Sequence, residues 1–167
     1  MKIIITGHRQ HGKNTICEML PEEFSAVSSS EKANELIVFD TLKDIYGYAT
    51  PQECYDDRDN HRVEWFDIIC GYNKDDLSRL GTIIFRECNV YNGIRNKLEL
   101  DALRDKKEFD YLIWVDASAR MPIETSDSMT VTKADADYIL DNNSGKASLI
   151  YEVEAMMRWL YSQDLPA

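Results

Sequence analysis

The sequence predicts an α/β fold, a parallel sheet with helices on both faces, and three observations lead there. Residues 2–6 form a short β-branched apolar run that stops at Gly7, as a strand buried on both faces does. Helical spacing follows at once, with Ile16, Met19 and Leu20 ahead of Pro21. Short strands and helical segments then alternate to the end of the chain.

Taken in order, Phe24–Ser28 reads as a second strand. Residues 31–46 read as a helix with Ala33, Leu36, Ile37 and Leu42 inward, closed by Gly47. From about 51 to 87 the chain looks helical in three pieces, with Trp65, Phe66 and Ile69 and then Leu77, Leu80 and Ile84 as apolar faces, so this stretch is expected to be a helical insertion. Asn89-Val90-Tyr91 is the third strand, broken at Gly93. A helix then carries Leu98, Ala102 and Leu103 inward. Phe109–Val115, ending at Asp116, is the most continuous apolar run and reads as a central strand. Residues 117–135 contain Pro122 and show no sustained period, which predicts a lid-like surface loop with at most a short helical turn. Asp137–Leu140 is the last strand, and the closing helix places Leu149, Ile150, Val153, Met156, Met157 and Leu160 on one face.

The length of 167 residues suits one domain over 1–167. No apolar run reaches the roughly 20 residues of a membrane span, and the apolar start is too short for a secretory signal, so no membrane contact and a cytoplasmic location are expected. Cys17, Cys54, Cys70 and Cys88 form no C-x-x-C pair, which argues against a zinc cage or redox motif. A net charge of −11 opposes non-specific nucleic-acid binding, which runs on Lys and Arg displacing counterions.

The chemistry is concentrated in Gly7-His8-Arg9-Gln10-His11-Gly12-Lys13, which has the pattern G-x-x-x-x-G-K between a strand and a helix. In a P-loop the glycines let backbone amides turn inward around phosphate oxygens, and the lysine bridges the β- and γ-phosphates of ATP. The segment Gly7, His8, Arg9, Gln10, His11, Gly12, Lys13, Asn14 and Thr15 is therefore the expected ATP site, on a three-layer P-loop NTPase fold. His8 and His11 are expected to fill loop positions. Asn14 stands where Ser or Thr usually ligates Mg2+, with Thr15 one place later, so Asn14 and Asp116 are the candidate metal residues.

A phosphotransferase needs cations on the transferring group and an enclosing surface. Arg120, in the loop beyond the central strand, is the candidate lid arginine, and Arg95, just after Gly93, should project from the carboxyl end of the sheet. Arg58 and Arg62 flank His61 in the insertion and could hold an acceptor phosphate, or could pair with Asp56, Asp57, Asp59 and Glu64 on a solvated helix. Asp40 and Asp116 are the carboxylates to test as acceptor base or magnesium partner. An N-K-D-D string at 73–76 falls in a helical region and not after a strand, which argues against a GTPase.

GHRQHGKNT at 7–15, YNGIR at 91–95, FDYLIWVDASAR at 109–120 and DNN at 141–143 resemble the small phage-type kinases of the thymidylate kinase and deoxynucleoside monophosphate kinase superfamily. That superfamily tolerates G-K-D-T endings, close to G-K-N-T here. Within it, the short length and the pairing of YNGIR with IWVDAS-x-R are similar to phage kinases that phosphorylate 5-hydroxymethyluracil in DNA. The resemblance implies ATP and Mg2+ as cofactors, catalytic roles for Lys13, Arg95, Arg120, Asp40 and Asp116, a phage-encoded chain in the host cytoplasm, and room for a homodimer. Two acceptors compete. DNA containing hydroxymethyluracil, narrowly favoured by the resemblance, requires an open basic channel, whereas a deoxynucleoside monophosphate requires arginines grouped around one phosphate. A nucleotide-binding regulator without transfer activity is the third reading.

Overall fold

The computed structural model describes residues 1–125 and 128–163, so the stretch 126–127 of the predicted lid-like loop lies outside the described residues. Five strands, β1 (Ile3–Thr6), β2 (Ala26–Ser28), β3 (Val90–Asn92), β4 (Tyr111–Asp116) and β5 (Tyr138–Asp141), form one parallel sheet in the order β2-β3-β1-β4-β5. β1 sits in the middle, with Ile3 paired to Val90 on one side and to Tyr111 on the other.

Both faces of this sheet are buried, which is why its strands read as unbroken apolar runs. Ile3 and Ile5 face one layer together with Val90, Ile113, Val115 and Leu140, whereas Ile4, Tyr91, Leu112 and Trp114 face the other. The first layer is covered by α1 (Lys13–Glu18) and α8 (Lys146–Gln163), through Ile16 and through Leu149, Val153, Met156 and Leu160. Each of the three isoleucines of β1 is fully buried, a burial that contributes roughly 1.5–3 kcal/mol per side chain.

The other layer begins with α2 (Ser29–Ala33), a π-helical turn at Asn34–Val38 and α3 (Phe39–Tyr46), which ends on Gly47 as expected. It continues with α4 (Pro51–Asp56), a 3-10 turn at Asp57–Asp59, α5 (Arg62–Tyr72), α6 (Arg79–Glu87) and, after β3, α7 (Lys97–Asp105). A second 3-10 turn, Lys133–Asp135, supplies the short helical turn expected in the loop between β4 and β5.

Four inward faces differ from the sequence expectation. The π turn inserts an extra residue, so Val38 takes the buried place and Leu36 turns to solvent. On α7 the buried stripe is Glu99, Leu100 and Leu103, which leaves Leu98 61% exposed. Ile150 on α8 and Leu77, in the turn before α6, also face outward. Among the described residues no helix is long and apolar enough to cross a membrane.

Candidate active site

β1 ends at the carboxyl edge of the sheet, where the chain turns into the loop that carries the glycine-lysine motif. Thr6 anchors the turn by donating its hydroxyl to the Ile94 carbonyl at 2.6 Å. Gly7 has φ +145°, and a Cβ there would lie 2.5 Å from the Val115 carbonyl oxygen of β4, so no side chain fits. Gln10 (φ 60°) and Gly12 (φ +99°) adopt left-handed conformations that curl the loop, and a Cβ at Gly12 would overlap the Asn142 side-chain amide. Lys13 then opens α1, and its ammonium crosses the mouth of the loop to donate to the Gly7 and His8 carbonyls at 2.9 and 2.8 Å. Burial, with Arg95 nearby, lowers its pKa to about 8.

The two loop histidines hold the loop in place. His11 is fully buried: its Nδ1 accepts from the Ala117 N–H at 3.1 Å, its Nε2 lies 3.3 Å from the Pro122 carbonyl, and its own carbonyl accepts from Asn142 Nδ2 at 2.8 Å. It therefore ties the phosphate loop to the segments following β4 and β5. His8 packs edge-on against Trp114 and His11, and burial followed by His11 lowers its pKa, so it stays neutral beside Lys13.

The loop forms one wall of a cleft of about 540 Å³ whose opposite wall is α5 and the turn before it. Arg9, Arg58, Arg62 and Arg95 all line it, together with Lys13, Asn14, Thr15 and the serines at 28–30. Arg58 lies over the Tyr55 ring at 4.0 Å and donates to the Tyr55 carbonyl at 2.8 Å, which fixes its guanidinium. Trp65, Phe66 and Ile69 supply an apolar side. Of the acids that could have neutralised these arginines, Asp59 pairs with both Arg9 and Arg62, whereas Asp57 and Glu64 bind His61.

Glu124, which sequence reasoning missed, reaches into this cluster from the loop after β4. It accepts from the Arg9 backbone N–H at 3.0 Å, from Arg62 at 2.9 Å and from the Arg95 guanidinium. Burial alone would raise its pKa, but Arg95 and these hydrogen bonds hold it below the ordinary carboxyl value. One carboxylate thus occupies a point on which two guanidinium groups and a loop amide converge.

The strand order decides which residue faces the position after Lys13. α1 packs beside β3, and there Asn92 donates its side-chain amide to Asn14 Oδ1 at 2.8 Å. Among the described residues the Asn92 Oδ1 is buried without a partner. Asp116 lies on the far side of β1, where Lys133 at 2.6 Å and the Ser118 N–H hold its pKa down to about 2, and it does not line the cleft. Of the two candidate metal residues, the structure brings Asn14 to the cleft beside Asn92 and leaves Asp116 outside it. Two neutral amide oxygens fit Mg2+ as a hydrated ion whose charge is balanced by the nucleotide phosphates, because Mg2+ keeps several waters in such sites.

Two further expectations shift. Asp40 lies on the outer surface of α3 with its carboxylate 71% exposed, paired to Lys43 at 2.6 Å, and does not line the cleft. Arg120 donates from Nε to the Asn142 carbonyl at 2.5 Å and does not line the cleft, so it clasps the β4 and β5 loops together beside the phosphate loop. Asn73, from the N-K-D-D string, caps the start of α6 through the Leu80 N–H at 3.1 Å.

No protein-family model matches the sequence, and no curated protein matches it. Its fold does have solved counterparts. A shikimate kinase from Aquifex aeolicus aligns over 100% of both chains with a TM-score of 0.53 and 14% sequence identity. The chain shares its fold with that kinase. A sugar kinase from Janibacter sp. HTCC2649, in unliganded form, aligns over 96% of this chain and 94% of its own, at 13% identity and a TM-score of 0.47, too low to carry an argument. The parallel sheet, its flanking helices and this counterpart establish an α/β P-loop NTPase fold.

Within that fold the site residues come from four segments that the sequence keeps apart: the 7–15 loop, the 55–69 stretch, the 92–95 turn and Glu124. Glu124 and Asn92 carry no local signal. Asn92 could have been found only from the strand order.

Proposed function

We propose that the chain is an ATP-dependent, magnesium-assisted phosphotransferase whose acceptor is a deoxynucleoside monophosphate. The observation that carries this reading is the charge inventory of the cleft. Four arginines and Lys13 line it, and the carboxylates described beside them are already paired, Asp59 with Arg9 and Arg62 and Glu124 with Arg62 and Arg95. A hydroxyl acceptor needs a base to take its proton. An acceptor phosphate needs none, because its oxygen is already anionic, and what it needs is clustered guanidinium groups.

In the transfer, an acceptor phosphate oxygen attacks the γ-phosphorus and forms the new P–O bond. The bond from that phosphorus to the β–γ bridging oxygen breaks, and the electron pair leaves on ADP. Lys13 would exchange its two carbonyl partners for β- and γ-oxygens, and the loop amides would hold the β-phosphate. Arg62 and Arg95, which converge on Glu124, would bind the acceptor phosphate in its place, with Arg58 beside them. Mg2+ would neutralise the triphosphate charge, held through water by Asn14 and Asn92.

Transfer to the hydroxymethyl group of hydroxymethyluracil in DNA is the second reading, supported by the resemblance at 91–95 and 109–120. A net charge of −11 and a cleft with no free carboxylate among its described lining residues weigh against it. Radiolabelled ATP offered with each deoxynucleoside monophosphate, and separately with hydroxymethyluracil DNA, tests the choice. Label in a nucleoside diphosphate supports the proposal. Label in DNA alone overturns it in favour of the second reading, and label in neither leaves a nucleotide-binding regulator.

A further inference from the structure

Behind the acceptor side of the cleft lies a recess of about 50 Å³, and the two share Ser29, Phe66, Ile69, Gly93 and Arg95 as walls. Glu99 lines the recess and is only 4% exposed. A buried carboxyl is costly, so its partners matter. Among the described residues its hydrogen-bond donor is Tyr91 Oη, at 2.8 Å to Oε1, and no basic side chain pairs with it.

The fold makes no use of this carboxyl that a neutral residue would not serve. Glu99 occupies the third position of α7, where an acid often reaches back to cap the helix. That end is already capped by Asn96, whose Oδ1 accepts from the Leu98 N–H at 2.9 Å. Glu99 turns instead towards Tyr91 of β3, beside the apolar layer that Leu100 and Leu103 of the same helix join. A leucine or glutamine would pack there without the desolvation cost.

We propose that Glu99 and its recess read the acceptor, by accepting a hydrogen bond from an N–H on the edge of a nucleobase. This rests on the monophosphate reading above and deepens it. With the acceptor phosphate at Arg62 and Arg95, Phe66 and Ile69, one turn apart on α5, offer a face for the base, and the recess lies beyond them. At about 50 Å³ the recess has room for a small polar group. It admits a ring N–H or an exocyclic amino group. Bases presenting only acceptors to it would leave two acceptors facing each other, and a site built to hydrogen-bond rejects such analogues strongly.

The test compares wild type with Glu99→Gln, which keeps the size and an oxygen for Tyr91 but replaces the unpaired acceptor with a donor. For each of the four common deoxynucleoside monophosphates, kcat/KM is measured at about pH 8, above the value of about 7 to which burial raises this carboxyl, so that it can only accept, and circular dichroism melts confirm that both proteins fold. The expected result is a wild-type preference among bases whose ratio changes tenfold or more in the variant, with the change in acceptor KM. If every acceptor falls by one common factor, or none changes, the subsite is overturned while the monophosphate reading stands. If wild type phosphorylates no monophosphate, both fall. Direct titration of the preferred monophosphate gives a second readout: its affinity should drop in Glu99→Gln, and equal affinity in the two proteins would overturn the subsite.

Discussion

Asn92, at the end of β3, donates a hydrogen bond of 2.8 Å to Asn14 at the start of α1, and its side-chain amide oxygen is buried without a partner among the described residues. The pair places neutral oxygens where a divalent ion bound to ATP would bring its waters. Asn92→Asp should therefore lower the magnesium concentration for half-maximal activity, and Asn92→Leu should raise it by roughly 10- to 100-fold, the usual effect of losing an outer-sphere ligand. Activity titrated with magnesium checks this, and identical curves for all three proteins would remove Asn92 from the metal site.

Glu124 competes for the arginines that an acceptor phosphate would use. Charge-assisted hydrogen bonds contribute about 1.5–3 kcal/mol each, so Glu124→Ala should lower the acceptor KM, or tighten inorganic phosphate binding, by about tenfold or more. Steady-state kinetics with varied acceptor measure it. An unchanged KM would mean that Arg62 and Arg95 serve the fold alone.

The loop at 7–13 was legible from the sequence because its signal is local. A strand, two glycines, a lysine and a helix lie within residues 3–18, and the structure places Gly7 and Gly12 at positions where a side chain does not fit. Both faces of β1 are buried, which its unbroken isoleucines already implied. What the sequence did not carry depends on strand order or on loop contacts across many residues. Asp116 ends the longest apolar run, and only the strand order shows that β4 lies on the other side of β1 from β3 and Asn92. Glu124 sits in a stretch with no period and meets Arg62 from 62 residues away. Asp40 follows a π turn that no spacing rule reveals, and its carboxylate faces solvent.

Gly12→Ala should destabilise the protein by roughly 2 kcal/mol or more, because alanine there is strained at φ +99° and meets the Asn142 amide. Thermal melts should show a drop of at least about 4 °C. A melt equal to wild type would mean that the loop is not held by Asn142.

Burial raises the Glu99 carboxyl to about 7 from 4.5, with the Tyr91 hydrogen bond lowering it less. Between those values the folded state keeps a proton that the unfolded chain has lost. Its contribution to stability is therefore complete below pH 4.5 and disappears as the pH rises to about 7. The amount is roughly 3 kcal/mol at 1.36 kcal/mol per pKa unit. Urea melts across that range should show Glu99→Gln losing less stability with rising pH than wild type. Parallel slopes would contradict the shift.

The central claim is that the 7–13 loop and Lys13 grip a triphosphate. Isothermal titration of magnesium-ATP into wild type and Lys13→Ala at pH 7, below the pKa of about 8 that burial gives this lysine, tests it most directly. The account predicts saturable binding to wild type and a loss of about a hundredfold or more in the variant, both proteins melting cooperatively. Absence of binding to wild type, or equal affinity in the two proteins, would contradict it.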